Sequence, residues 1–170
     1  IVCLGIDAEV ASNVTLMKEK KIPPSQIYNL SIIYTLIKYK FKEIKYSLDN
    51  VSNKDKFTLF AICNGRYYGG GFKIAPNAEL SDGLFDIYSI NKVSKLKIPY
   101  LFLKLIRGVH ETIPILHKNQ SDSIIINVEE EITCNVDGES LVGNHFDVKI
   151  INNAVTLYNN KELIDEFLSV

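Results

Sequence analysis

The polar corners of this chain hold the residues with most scope for chemistry. Glu139 follows Asp137-Gly138, a dipeptide that favours a sharp turn, directly after the strand-like run Ile132–Val136. A carboxylate at such a strand tip is held by a rigid scaffold and stays open to a cleft; carboxylates in such places serve as proton acceptors. Asp82 opens a second Asp-Gly corner, Ser81-Asp82-Gly83, and Asn64-Gly65 forms a third. Asp7 ends the strand-like run at the start of the chain. Each also has a structural reading. On the tripeptide alone Glu139 is an exposed turn residue, Asp82 and Asn64 are turn formers, and Asp7 caps a helix over Ala8–Met17. His110 and His117 have no serine or carboxylate at triad spacing, so nucleophilic catalysis is unsupported and His110 reads as a hydrogen-bonded structural residue.

The elements that must position these corners centre on Leu59–Asp86. A β-rich run, Phe57–Cys63, stops at Asn64-Gly65; the chain passes Gly69-Gly70-Gly71, resumes as a short strand Phe72–Ala75, turns at Asp82-Gly83 and continues as a strand from Leu84 to Ile90. Around it we expect a helix from Ser25 and Ile27 to Ile37, a strand Phe41–Leu48, and a polar turn Asp49–Lys56. A helix between Ser94 and Gly108 follows, with Pro99 either stopping a first turn or opening the main helix. Strands are then expected at Ile113–His117, Ser123–Val128, Glu131–Val136, Phe146–Ile151 and Ala154–Tyr158, with Glu129-Glu130-Glu131 as an exposed turn and a helical tail to Val170. The stripe Leu101, Phe102, Leu105 and Ile106 reads as core, with a membrane-surface contact as the other reading. The fold class is mainly β: a sandwich or barrel-like domain with two to three helices.

With 170 residues, 46% hydrophobic content and a formal net charge of -1, the chain is one ordinary globular domain with no electrostatic case for nucleic acid. Cys3, Cys63 and Cys134 lie far apart in apolar runs, without zinc-site spacing and odd in number. They read as buried, reduced thiols of a cytoplasmic protein. No signal peptide and no apolar run near the ~20 residues of a membrane span is visible. The chain opens on Ile1-Val2-Cys3-Leu4 with no initiator Met, so it is expected to be part of a longer protein.

Residues 63–86, CNGRYYGGGFKIAPNAELSDGLFD, resemble the C-terminal domain of bacterial diacylglycerol kinase-type (YegS-like) lipid kinases. GIDAEV at 5–10 and VDGE at 136–139 support the resemblance in the family's order, with Ile6 where the family usually has Phe. It implies the second domain of a two-domain kinase, whose nucleotide-binding domain with a GGDGT signature is absent here. It further implies ATP as co-substrate and a lipid alcohol as acceptor. In that frame Glu139 is the catalytic base and Asp7 lies near the acceptor. Asn64 and Gly65 approach the nucleotide, and Asp82 binds a structural Mg²⁺ with the main-chain carbonyls of Glu79 and Leu84. A peripheral membrane surface and a homodimer are the implied partners. The alternatives are a non-catalytic lipid- or protein-binding β domain, and a kinase of another alcohol such as NAD or a sphingoid base.

Overall fold

The computed structural model describes residues 1–18, 24–49, 51–67 and 73–155. In order, they form β1 (Val2–Gly5), α1 (Ile6–Lys18), α2 (Pro24–Lys38), β2 (Glu43–Leu48), β3 (Val51–Cys63) and β4 (Phe85–Asn91). A 3₁₀ turn at Lys95–Lys97 leads into α3 (Ile98–Ile106), and a second at His110–Thr112 precedes β5 (Leu116–Ser121), β6 (Ser123–Val136) and β7 (Glu139–Lys149). Every strand pairing is antiparallel, in the order β1-β6-β2-β3-β4-β5 with β7 on the free side of β6. β1 also pairs with β3, which closes β1, β6, β2 and β3 into a small barrel flanked by outer strands. The expected mainly β, barrel-like class is the observed one.

Alternation along the strands fills the barrel. Ile124, Ile126 and Val128 of β6 point inward with Ile44 and Leu48 of β2, Phe60 and Ile62 of β3, and Leu4 of β1. Tyr46, Phe57 and Phe60 pack edge to face, with centroids 5.0 to 5.7 Å apart. Removing a ring such as Phe60, fully buried here, costs about 3–5 kcal/mol in comparable cores. On the outer face, Cys3, Ala61, Cys63 and Tyr88 are covered by Ile74, Ala75 and Ala78 of the long β3–β4 connection and by Leu105 of α3. All three cysteines are buried and in the thiol form, as expected.

Several boundaries differ from the expectation. Asp49–Lys56 is not a polar turn: β3 begins at Val51, and its polar half pairs with β2 from Glu43↔Lys56 to Leu48↔Val51. Cross-strand partners such as Glu43 and Lys54 stabilise the pairing along this polar half. Asp49, at φ 48, starts the short turn. Glu129-Glu130-Glu131 is not a turn but lies within β6, where the register against β7 shifts between Asn127 and Ile132. Lys45 meets Glu129 at 3.5 Å and Lys42 meets Glu130 at 3.6 Å, so opposite charges from neighbouring chain relieve the repulsion. The expected strand Ile113–His117 begins later, at Leu116, after a 3₁₀ turn.

Lys73–Ala75 is irregular rather than a strand; Ala75 donates to the Arg66 carbonyl at 3.2 Å and the segment serves as a cover. Gly69–Gly71, Phe72 and the expected elements beyond Val155 lie outside the described residues. α1 starts at Ile6, so Asp7 is its second residue instead of its cap, a first-turn place where the helix dipole favours a carboxylate. Pro99 opens α3, Ser94 makes no side-chain cap, and Gly108 follows the helix at φ 66. Leu101 and Leu105 are buried, as the core reading of their stripe requires.

Candidate functional site

Strand register brings three of the corners to one end of the barrel. Val2 pairs with Ile62 of β3 and with Val136 of β6, while Cys63 pairs with Asp86 of β4. Asn64-Gly65 therefore leaves β3, Asp82-Gly83 enters β4, and Asp137-Gly138 joins β6 to β7 at the same end. Leu80, two residues before Asp82, reaches toward the first corner: its Cδ2 lies 3.6 Å from where a Cβ on Gly65 would stand.

Each corner is shaped by its own sequence. Asp137 (φ 47) and Gly138 (φ 100) have the paired positive φ of a two-residue hairpin turn, which the Asp-Gly dipeptide tolerates. The buried Asn135 braces it by accepting the Gly138 amide at 3.1 Å through Oδ1. Glu139 follows at once as the partner of Val136, so it shares that residue's face of the sheet and is exposed. At the second corner Asp82 Oδ1 accepts the Leu84 amide at 2.9 Å, and Gly83 sits at φ 75. Arg66 Nε donates to the Ala78 carbonyl at 2.9 Å, and buried His110 donates from Nε2 to the Ile74 carbonyl at 2.8 Å. These bonds hold the connection that returns the chain from Asn64 to Asp82, and they give His110 the structural role expected of it.

Asp7 is not brought to this end. It lies two residues past Gly5, which pairs with Leu59, so at least the length of β1, about 10 Å at the usual strand rise, separates it from the Val2 level. Gly5 and Glu9, which flank it in the chain, line a cavity of about 350 Å³ between α1, α2 and the β2–β6 wall. Asn13, Tyr34, Lys38 and Lys40 line the same cavity.

Asp86, buried next to the Asp82 corner, is absent from the sequence reading. Gln120 donates to its Oδ1 at 3.1 Å, while Oδ2 is buried without a partner. Burial raises its carboxyl above the ordinary range, the Gln120 bond opposes that, and the Asp82 charge adds to the rise. Its signal was the charge inside an apolar strand, with Asp86 and Tyr88 alternating against Phe85 and Ile87. Farther along that face, Glu111 accepts from Tyr88 at 2.9 Å and from Lys118 at 2.5 Å. Burial works to raise Glu111, but these two bonds outweigh it and hold the carboxyl below its ordinary value.

Among the described residues no three His, Cys, Asp or Glu side chains converge as a metal cluster. The expected Mg²⁺ site asks for less: one carboxylate and two main-chain carbonyls. An exposed Asp82 oriented by its own corner, and the partnerless buried Oδ2 of Asp86, are carboxylate oxygens of the kind a hard cation takes. Among the described residues no helix is long and apolar enough to cross a membrane.

The family model of the YegS C-terminal NAD kinase beta sandwich-like domain matches residues 1–159. A diacylglycerol kinase of Staphylococcus saprophyticus is 26% identical over 138 residues, covering 79% of this chain and 45% of that protein. A Yersinia pestis protein named "Probable lipid kinase YegS-like" is 31% identical over 101 residues, 57% of this chain and 31% of its own length. Among solved structures, one titled a putative diacylglycerol kinase from Bacillus anthracis str. Sterne superposes with a TM-score of 0.61 at 25% identity, over 89% of this chain and 49% of that one. The chain thus spans less than half the length of these relatives. Its closed antiparallel barrel, its three motifs in order and the match over nearly its whole length make it a member of the YegS C-terminal domain family, whose relatives here are named as diacylglycerol and lipid kinases.

Proposed function

We propose that this domain is the acceptor-side half of an ATP-dependent lipid kinase that phosphorylates a lipid hydroxyl of the diacylglycerol class. The observation that carries the reading is the common barrel end shared by Asn64, Asp82 and Glu139 in a chain of this family. In the reaction the lipid hydroxyl oxygen attacks the γ-phosphorus, and its proton passes to the Glu139 carboxylate. The bond from the γ-phosphorus to the bridging oxygen breaks, and ADP leaves. Asn64 and Gly65 lie on the nucleotide side of this end. Asp7, whose chain neighbours Gly5 and Glu9 line the cavity, orients the acceptor or its network and takes no share of the proton transfer.

Asp82 with the carbonyl oxygens of Glu79 and Leu84 would hold Mg²⁺, which supplies a fixed positive charge that stiffens the corner. ATP is bound mainly by a preceding nucleotide-binding domain of the full-length protein, so the chain of 170 residues alone is inactive. A lipid acceptor makes the working enzyme peripheral to a membrane. The test is transfer of label from γ-labelled ATP to a lipid panel by the full-length protein, with Glu139→Ala beside it. Label in a lipid hydroxyl that disappears in the folded variant supports the reading. An unlabelled panel favours a binding domain without catalysis, and transfer retained by the variant removes Glu139 as the base.

A further inference from the structure

We propose that the end of α2 and the face of α3 turned away from the core form one docking surface for an anionic bilayer. The choice of a lipid partner rests on the lipid-kinase reading; the surface itself rests on the arrangement of side chains. Leu101 and Leu105 turn inward, which leaves Leu96, Tyr100 and Leu103 on the opposite side at helical spacing. Leu96 is 91% exposed, and Tyr100 and Leu103 are each more than half exposed. Lys95 Nζ donates to the Ile37 carbonyl at 3.2 Å, which ties this turn to the C-terminal end of α2, where Ile37 is 70% exposed. Exposed apolar side chains thus come from two elements joined at this point, and clustered exposed apolar groups of this kind mark interaction surfaces.

Charge supplies the occupant. Neither residues 24–42 nor residues 92–110 contain an acidic side chain, in a chain whose overall charge is -1. Lys38 and Lys40 flank Ile37, and Lys95, Lys97, Lys104 and Arg107 flank the α3 ridge. Lys104 lies over the Tyr100 ring at 5.8 Å, which keeps an aromatic and a cation together at the surface. Apolar and aromatic tips on two segments whose charged side chains are all lysine or arginine suit the headgroup boundary of an anionic membrane: the apolar tips enter the acyl edge and the cations meet the headgroups. Lys38 and Lys40, at this same end of α2, also line the cavity described above.

The experiment is co-sedimentation of the full-length protein, without ATP, with vesicles of phosphatidylglycerol and phosphatidylcholine, and of phosphatidylcholine alone. Wild type is expected to bind the mixed vesicles and to be released by salt. Leu96→Ser with Tyr100→Ser and Leu103→Ser should lower the partition at least tenfold, and Lys97→Gln roughly fivefold. Val51→Ser with Val142→Ser, which removes exposed apolar groups elsewhere, should leave binding unchanged. Two companion readouts separate the possibilities: turnover of a short-chain, monomeric diacylglycerol, and sedimentation velocity. Equal vesicle binding by the triple variant and wild type overturns the proposal, as does a triple variant that alters only self-association, which would give the face to a second copy. Wild-type vesicle binding without turnover of the soluble substrate counts against the kinase reading and leaves the docking surface standing.

Discussion

Glu139 stands opposite Val136 across the β6–β7 hairpin, with only Asp137 and Gly138 between them in the chain. The turn leaves no slack, so the carboxylate is positioned by the sheet and not by a loop. Replacing it with Gln should keep the hairpin and remove the proposed base. The expected outcome is a fall in kcat of about 10²–10⁴-fold with an unchanged circular dichroism spectrum, read by labelled-ATP turnover in the full-length protein.

Asp82 should make stability respond to Mg²⁺. A site that binds only the folded state adds about 2.7 kcal/mol at one hundred times its dissociation constant. Thermal unfolding with Mg²⁺ against chelator should show an upward shift in wild type and none in Asp82→Ala. An equal shift in both would place the ion elsewhere.

Gly83 tests the same corner through the backbone. A Cβ there would lie 2.8 Å from Asn152 Oδ1, and the residue sits at φ 75. Gly83→Ala should lower stability by about 1–3 kcal/mol in a denaturant titration. If it were neutral, the corner would be free to remodel and could not hold an ion rigidly.

Asp86 predicts a pH dependence with a definite sign. Its carboxyl is raised in the fold, mainly by burial. The resulting contribution to stability is therefore complete below the ordinary value of 3.8 and lost as pH rises through the folded value. Asp86→Asn, in chelator, should melt several degrees higher than wild type near neutral pH, and the difference should shrink toward pH 3.

Glu111 behaves in the opposite way. Its lowered carboxyl contributes stability above the ordinary value of 4.5, and that is lost as pH falls through the folded value. Tyr88→Phe removes one of its three donors, the others being Lys118 and Asn77, and should cost about 1–3 kcal/mol at neutral pH. The deficit should narrow in acid, as measured by urea unfolding at a series of pH values.

The local chemistry of this protein was legible in the sequence. Asp-Gly at 82–83 and 137–138 marked positive-φ corners because few other residues adopt that backbone, and the alternation Ile44, Tyr46, Leu48 marked a core-facing strand because the side-chain period of a strand is two. What the sequence left undetermined was pairing. The acidic run in β6 and the polar half of β3 look like turns until lysines and partner strands from distant chain appear beside them. Register, a relation between residues up to 134 apart such as Val2 and Val136, decided that Glu139, Asp82 and Asn64 share an end and that Asp7 does not. Burial of Asp86 and exposure of Leu96 were decided in the same way, since solvent access depends on which elements pack over a side chain and not on its neighbours in the chain.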